Sequence, residues 1–162
     1  MAKEREPGGR PTSQPEGGSR WLIDGMNLIG SRPDRWWNDL DRAIQRLLQE
    51  LDRYATVTGE DVTVVFDRRP SDIPLGTHGA VNVVFASWQG RNAADHEIVL
   101  IMGEDRAPDS IRVVTSDRRL VERIRALGAR PTSSMLFRRR LTATLESGRA
   151  NHQGRAGPQG AG

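Results

Sequence analysis

Four aspartates, Asp24, Asp67, Asp95 and Asp117, carry the chemistry that this chain offers most plainly. Three of them close short apolar runs of β character: Trp21-Leu22-Ile23-Asp24, Val62-Thr63-Val64-Val65-Phe66-Asp67, and Ile111-Arg112-Val113-Val114-Thr115-Ser116-Asp117. Asp95 falls in the first turn of an expected helix, where the dipole and unpaired N–H groups favour an ionised carboxylate. Each is a hard oxygen donor. A set of them without His or Cys at ligand spacing suits Mg²⁺ or Mn²⁺ better than Zn²⁺. Gathered without a cation, such carboxylates would repel one another and some would take up protons. Singly each has a plainer use: Asp24 before Gly25 suits a turn, Asp67 the start of a loop, and Asp117 a helix cap. Their shared place at strand ends is what favours the metal reading.

Other residues gather around the same positions in the sequence. Asn27 follows Asp24 by three and is placed to hold that carboxylate through its amide, to contact a substrate phosphate, or simply to cap a turn. Thr115 and Ser116 can donate to a phosphate or a water, or act as cap residues. Arg68, Arg69, Arg91, Arg118 and Arg119 lie at or near the expected edge. Solvated charge is their default, yet a basic rim around an acidic pocket suits the phosphates flanking a scissile phosphodiester. Trp88 is placed to stack on an unpaired base or to cover the sheet edge. Phe137-Arg138-Arg139-Arg140, continued by Arg149 and Arg155, reads as a basic run suited to a nucleic-acid backbone, or as a helix face. His96 is next to Asp95, but adjacent residues leave a helix on different sides, so it reads as a surface residue or one standing just behind the ligands.

Elements that would position these residues follow from periodicity. Strands are expected over 20–24, 61–66, 81–85 and 111–115, with a weaker one in 130–136. A long helix is expected to open at Pro33-Asp34 with Asp34 as its cap and a buried stripe of Trp37, Leu40, Ile44, Leu47, Leu51 and Tyr54, stopped by Gly59. Further helices are expected over 92–102, capped by Asn92, over 117–127, closed by Gly128, and over 137–145. The stretch from Arg68 to Gly79 reads as loop. Strands alternating with helices imply parallel pairing through right-handed crossovers, hence an α/β fold: a three-layer α/β/α sandwich with a mostly parallel central sheet. The carboxyl ends of such strands line one edge, where ligands bind.

The chain of 162 residues suits one domain over 20–145, with a disordered arm over 1–19 and a disordered tail over 146–162, both poor in apolar residues. It has no cysteine, which excludes disulfides, thiolate sites and cysteine nucleophiles. The longest apolar run, Ile98 to Met102, is far short of the roughly 20 residues that span a bilayer, so no membrane is expected and the location expected is cytoplasmic. Net charge is +3, and because Lys3 is the sole lysine the positive charge is nearly all arginine, the residue suited to bidentate phosphate contacts. Coding bias toward Arg, Ala and Gly would give the same composition.

Asp24-Gly25-Met26-Asn27, Val64-Val65-Phe66-Asp67, Ala94-Asp95 and Val114-Thr115-Ser116-Asp117, in that order, resemble the NYN domain. Within it the likeness is greatest to the YacP-like ribonucleases of the PIN-like nuclease group. The resemblance covers about residues 20–140. It implies a PIN-like fold, a divalent-metal-dependent endoribonuclease, catalytic carboxylates at Asp24, Asp95 and Asp117 with Asn27 in support, and Asp67 as a further ligand within the YacP-like branch. RNA is the implied partner, with a ribosome or tRNA as candidate contexts; the oligomeric state stays open. Two departures stand out: Ala93 and Val99 occupy places where the family often has Thr or Ser and Glu, and Glu97 is offset by two residues.

Together these point to hydrolysis of RNA phosphodiesters by metal-activated water, leaving a 5′ phosphate and a 3′ hydroxyl. The alternative is a non-catalytic RNA-binding or adaptor domain on the same fold. A phospho-accepting signalling domain also places Asp at strand ends, but it usually wants a nearby lysine, which this core lacks.

Overall fold

The computed structural model describes residues 19–68, 76–87, 90 and 92–153. Among them, β1 (Arg20–Asp24), β2 (Asp61–Phe66), β3 (Gly76–His78), β4 (Val81–Phe85), β5 (Ile111–Val114) and β6 (Arg130–Thr132) form one sheet in the order β3-β4-β2-β1-β5-β6. Every neighbouring pair is parallel except β3 with β4. The helices are α1 (Gly25–Gly30), α2 (Leu40–Thr58), α3 (Ala93–Glu104), α4 (Arg118–Ala126) and α5 (Ser134–Gln153). No helix among the described residues is long and apolar enough to cross a membrane.

Both faces of the sheet are covered, which is why its central strands read as almost unbroken apolar runs. Side chains of a strand alternate between faces. Trp21, Ile23, Val62, Val64 and Val114 thus pack with Ile44, Leu48, Leu51 and Tyr54 of α2 and with Phe137 and Leu141 of α5. Leu22, Val65 and Val113 face the other way, onto Ala94, Ile98 and Met102 of α3 and Leu120 and Ile124 of α4. The three-layer α/β/α sandwich expected from the alternation of elements is the architecture found.

From β1 the chain passes through α1 and α2 to β2 on one side, and later returns through α3 to β5 on the other. β1 is therefore where the winding reverses. A crevice opens at the carboxyl end of the sheet at such a point, and Asp24 is the last residue of β1.

Several local expectations need correcting. The long helix starts at Leu40, not at Pro33-Asp34, because Arg35 takes a left-handed backbone (φ 55°) and residues Trp36–Asn38 form a short 3₁₀ turn. Asp39, not Asp34, caps it, with Oδ1 accepting from the Arg42 N–H at 3.1 Å. Trp37 lies off the stripe and is 62% exposed. Asn92 sits at the cap position of α3 but is left-handed (φ 68°) and makes no side-chain cap bond. The stretch expected as loop contains β3, a strand at the edge of the sheet with little buried surface. The last helix begins at Ser134, and it continues past Leu145, where a tail was expected, to Gln153. The arm expected over 1–19, apart from Ser19, and everything after Gln153 lie outside the described residues.

Candidate functional site

Asp24 is 5% exposed and caps α1, which follows β1 without a linker. That abrupt turn is possible because residue 25 is glycine: a Cβ there would lie 2.4 Å from the Phe66 ring of β2. Asp24 Oδ1 accepts from the Asn27 backbone N–H at 3.4 Å, and Oδ2 accepts from the Thr115 hydroxyl at 3.2 Å. Thr115 Oγ1 in turn accepts from the Asp117 N–H at 3.2 Å. Asp117 caps α4, its Oδ1 accepting from the N–H groups of Arg119 and Leu120 at 2.9 and 3.2 Å. One hydroxyl thus ties the two strand-end aspartates together across the β1–β5 pair.

Asp67 follows β2 and its Oδ1 accepts from the Ala94 N–H at 2.9 Å, doing for α3 what Asn92 does not. It thereby fixes the start of the helix that carries Asp95. Asp95 is half-buried in the first turn of α3.

Asp24 and Asp95 also feel the charges of the other acids. Burial pushes the Asp24 carboxyl up to about 7, helped by the charges of Asp95 and Asp67 and opposed by its bonds to Asn27 and Thr115. Burial likewise pushes Asp95 up to about 6, helped by Asp117 and Asp67, while Arg123 pulls it down. Like charges near enough to raise one another's proton affinity are what an unneutralised acidic site presents.

Whether this set fits a divalent cation can be judged from its donors. All are carboxylate oxygens, the hard type that Mg²⁺ and Mn²⁺ take, and burial together with the neighbouring acids raises the proton affinity of Asp24 and Asp95. In chemistry they fit. They are not pre-assembled, however: among the described residues no three Asp, Glu or His side chains already converge as a metal-holding group. Val99, where the family pattern often has Glu, packs into the apolar layer beneath α3. Glu97 points toward Ser87, whose hydroxyl approaches Oε2 at 3.5 Å.

Asn27 joins three elements through its side chain. Its side-chain oxygen accepts from the Ser116 N–H at 2.8 Å and from the Ser134 hydroxyl at 2.6 Å, and Ser116 Oγ accepts from the Ser134 N–H at 3.0 Å. The amide therefore does not grip Asp24. It bolts α1, the loop before α4 and the first turn of α5 to one another beside the acids. Ser134, 1% exposed, was missed from sequence; a serine opening a helix looks like any other cap. Arg123 was also missed, since nothing in its spacing singles it out.

Of the arginines, Arg68, Arg118 and Arg119 are exposed, the first directly after Asp67 and the others in the opening turn of α4. Arg69, Arg91 and Trp88 lie outside the described residues. His96 is exposed, as expected. The basic run 138–140 is not one free surface. Arg138 donates to Glu50 Oε2 at 2.9 Å and to the Leu28 carbonyl at 3.1 Å, and Arg140 donates to the Tyr54 hydroxyl at 2.8 Å and to Glu60 Oε1 at 3.2 Å. Both are engaged within the protein, although Arg140 stays exposed; Arg139 is exposed and unpaired among the described residues.

An acidic crevice at the reversal point of a mostly parallel three-layer sheet defines a domain of the PIN-like class, and comparison with solved structures agrees. The crystal structure of Rae1 (YacP) from Bacillus subtilis matches with a TM-score of 0.66 at 25% identity, over 84% of this chain and 80% of that chain. A Trp-to-Leu variant of the same Bacillus subtilis protein matches with a TM-score of 0.66 at 28% identity, over 80% of this chain and 79% of that one. The family model described as the YacP-like NYN domain matches residues 21–159, and the chain belongs to that family. No curated protein matches it.

Proposed function

We propose that this protein is a divalent-metal-dependent endoribonuclease, hydrolysing RNA phosphodiesters at the carboxyl edge of the sheet. Membership of the YacP-like NYN family points to a nuclease-like, RNA-acting domain. What supports the finer reading is that Asp24, Asp67, Asp95 and Asp117 come from four segments to the carboxyl end of the sheet, where Thr115 bonds both Asp24 and the Asp117 N–H, Asp67 caps the helix of Asp95, and the charges of the other acids reach Asp24 and Asp95. Asp24, Asp95 and Asp117 would hold Mg²⁺ or Mn²⁺, with Asp67 as a further donor. Such a cation supplies charge neutralisation and lowers the pKa of the attacking water.

The remaining roles belong to the chain. Thr115 and the α4 N–H groups fix the orientation of Asp24 and Asp117, and Asn27 with Ser116 and Ser134 locks the three elements that surround them. Arg68, Arg118 and Arg119 are exposed at the same edge, with Arg91 and Trp88 as further candidates for RNA contact. No side-chain nucleophile is required.

The test is incubation of the purified protein with structured RNA in Mn²⁺, with and without EDTA, beside Asp24→Asn and Asp117→Asn. Metal-dependent products with 5′ phosphate and 3′ hydroxyl ends, lost in both variants with the fold retained, are expected. Products ending in 2′,3′-cyclic phosphate, or cleavage undiminished by EDTA, would refute it. Val99 favours the second reading, a non-catalytic RNA-binding domain, under which the wild type binds RNA and cuts none.

A further inference from the structure

Away from the carboxylates, a groove of about 420 Å³ runs beside α5 over the face of β1, β5 and β6. Its floor is aromatic and aliphatic, from Trp21, Phe137 and Leu136, and Leu136 is 58% exposed although it is a large apolar residue. Its charged lining is Arg112, Arg139 and Arg140, with no carboxylate among the lining residues. The Arg112 and Arg140 guanidiniums lie 5.5 and 5.4 Å from the Trp21 ring centre, so the indole is flanked by two cations. Arg140 is tied to Glu60, but Arg112 and Arg139 form no ion pair among the described residues. Arg130, exposed and in register with Arg112 on the neighbouring strand, extends the positive face.

The contrast with the other basic cleft, between α2 and α5, is instructive. There Arg32, Arg46, Arg53 and Arg149 share the lining with Glu50 and Glu146, and Arg32 and Arg46 both bond Glu50. Those charges are largely answered within the protein; those of the α5–β5 groove are not.

One residue of the groove's rim is tied to the acidic edge. Thr132, which lines it, accepts through its carbonyl from the Thr115 N–H at 3.0 Å, and the Thr115 hydroxyl bonds Asp24. Arg112 lies three residues before Thr115 along the chain, about 10 Å at the rise of a strand. Arg112 stands on the α5 face of the sheet and Thr115 and Asp24 on the other, so a strand held at the carboxylates turns over the carboxyl end of β5 to meet these guanidiniums.

We propose that this groove takes the single-stranded RNA flanking the bond to be cut, with Arg112 and Arg139 on phosphates and Leu136 against a base. The inference rests on the RNA-cleaving reading of the carboxylate edge. Phosphate contacts of this kind position a strand without reading its sequence, and apolar or aromatic surface beside them gives bases a sequence-tolerant rest.

Fluorescence anisotropy of the full chain with a labelled single-stranded oligoribonucleotide of about twelve nucleotides, in EDTA so that nothing is cut, tests it. The R112Q/R139Q variant should bind about tenfold more weakly, and its slope of log affinity against log salt should shrink by about 1.4, the value for two lost single-strand phosphate contacts. R139E alone, at an exposed position that cannot disturb the core, should also weaken binding, whereas R112K should restore most of what R112Q loses. In Mn²⁺ the double variant should raise KM for the same RNA with kcat nearly unchanged. Unchanged RNA affinity in R139E and in R112Q/R139Q overturns the groove; it is the result expected if an acidic protein segment is what binds there. Groove-dependent RNA binding with no metal-dependent cleavage supports the groove and refutes the nuclease reading.

Discussion

Two charged regions of this molecule are built on opposite principles. Around Glu50, carboxylate and guanidinium alternate: Glu50 bonds Arg32, Arg46 and Arg138, and Asp34 lies within reach of Arg32 and Arg46. Around Asp24, carboxylate meets carboxylate, with hydrogen bonds from Asn27 and Thr115 and the more distant charge of Arg123 as the compensation seen. The first arrangement closes on itself and joins α1, α2 and α5. The second is left incomplete, and a site that is electrostatically incomplete is one that gains from a ligand of the missing sign. A charged cluster thus marks a joint when its signs alternate and a candidate site when they do not.

Neutralising either side should have opposite consequences. Asp24→Asn or Asp117→Asn is expected to lower metal-dependent RNA cleavage by at least about 100-fold, measured as initial rate at saturating Mn²⁺, while circular dichroism stays native. A cleavage rate within about threefold of wild type in both variants would remove the acids from the chemistry. Glu50→Ala should do the reverse. It strands Arg138, whose guanidinium is only 14% exposed and is already pushed down by burial, and so should cost about 3 kcal/mol of stability. Urea denaturation reads this, and cleavage per folded molecule should hold within about twofold.

How much of this contrast was legible in the sequence depended on how local its causes are. An apolar run stopping at Asp24 or Asp117 is a statement about a few neighbouring residues, and both sit where the runs said they would. The core stripe of α2 was readable for the same reason from Ile44 onward, but it was extended one turn too far because Trp37 continues the period while the left-handed Arg35 backbone breaks the helix. α1 was not foreseen at all: six residues bounded by glycines show no period, and the helix exists because Gly25 lets it pack against Phe66. The bond of Asn27 to Ser134 was not legible, since the two lie 107 residues apart. Arg138 and Arg140 misled in the same manner. A basic triplet looks like a surface until Glu50, Tyr54 and Glu60 are brought against it by the packing of α5 on α2.

The acidic side also makes a prediction that runs against the usual effect of mutating a buried residue. Asp24 holds its proton to about pH 7 in the folded chain, above the ordinary carboxylate value it has unfolded. The folded state therefore binds the proton more tightly, and its contribution to stability is complete below about pH 4 and lost as pH rises through 7. Asp95, raised to about 6, acts in the same direction. In metal-free protein at pH 8, Asp24→Asn should consequently stabilise the fold by about 2 kcal/mol, read as a higher Tm in EDTA, and the gain should vanish near pH 4. A variant less stable than wild type at both pH values would show that Asp24 is held by its hydrogen bonds alone.

Metal removal gives the smallest and most discriminating effect. If the carboxylates take a divalent cation, the ion competes with the protons they hold, so added Mn²⁺ should raise Tm clearly at pH 8 and far less at pH 5, where Asp24 and Asp95 are protonated. At an ion concentration of ten times its dissociation constant the gain is about 1.4 kcal/mol, a few degrees for a chain of this size. Asp24→Asn and Asp95→Asn should each flatten the pH-dependent shift, whereas Glu50→Ala, lower in Tm throughout, should keep it in full. An equal Mn²⁺ shift in wild type and Asp24→Asn would place the ion elsewhere on the surface, away from Asp24.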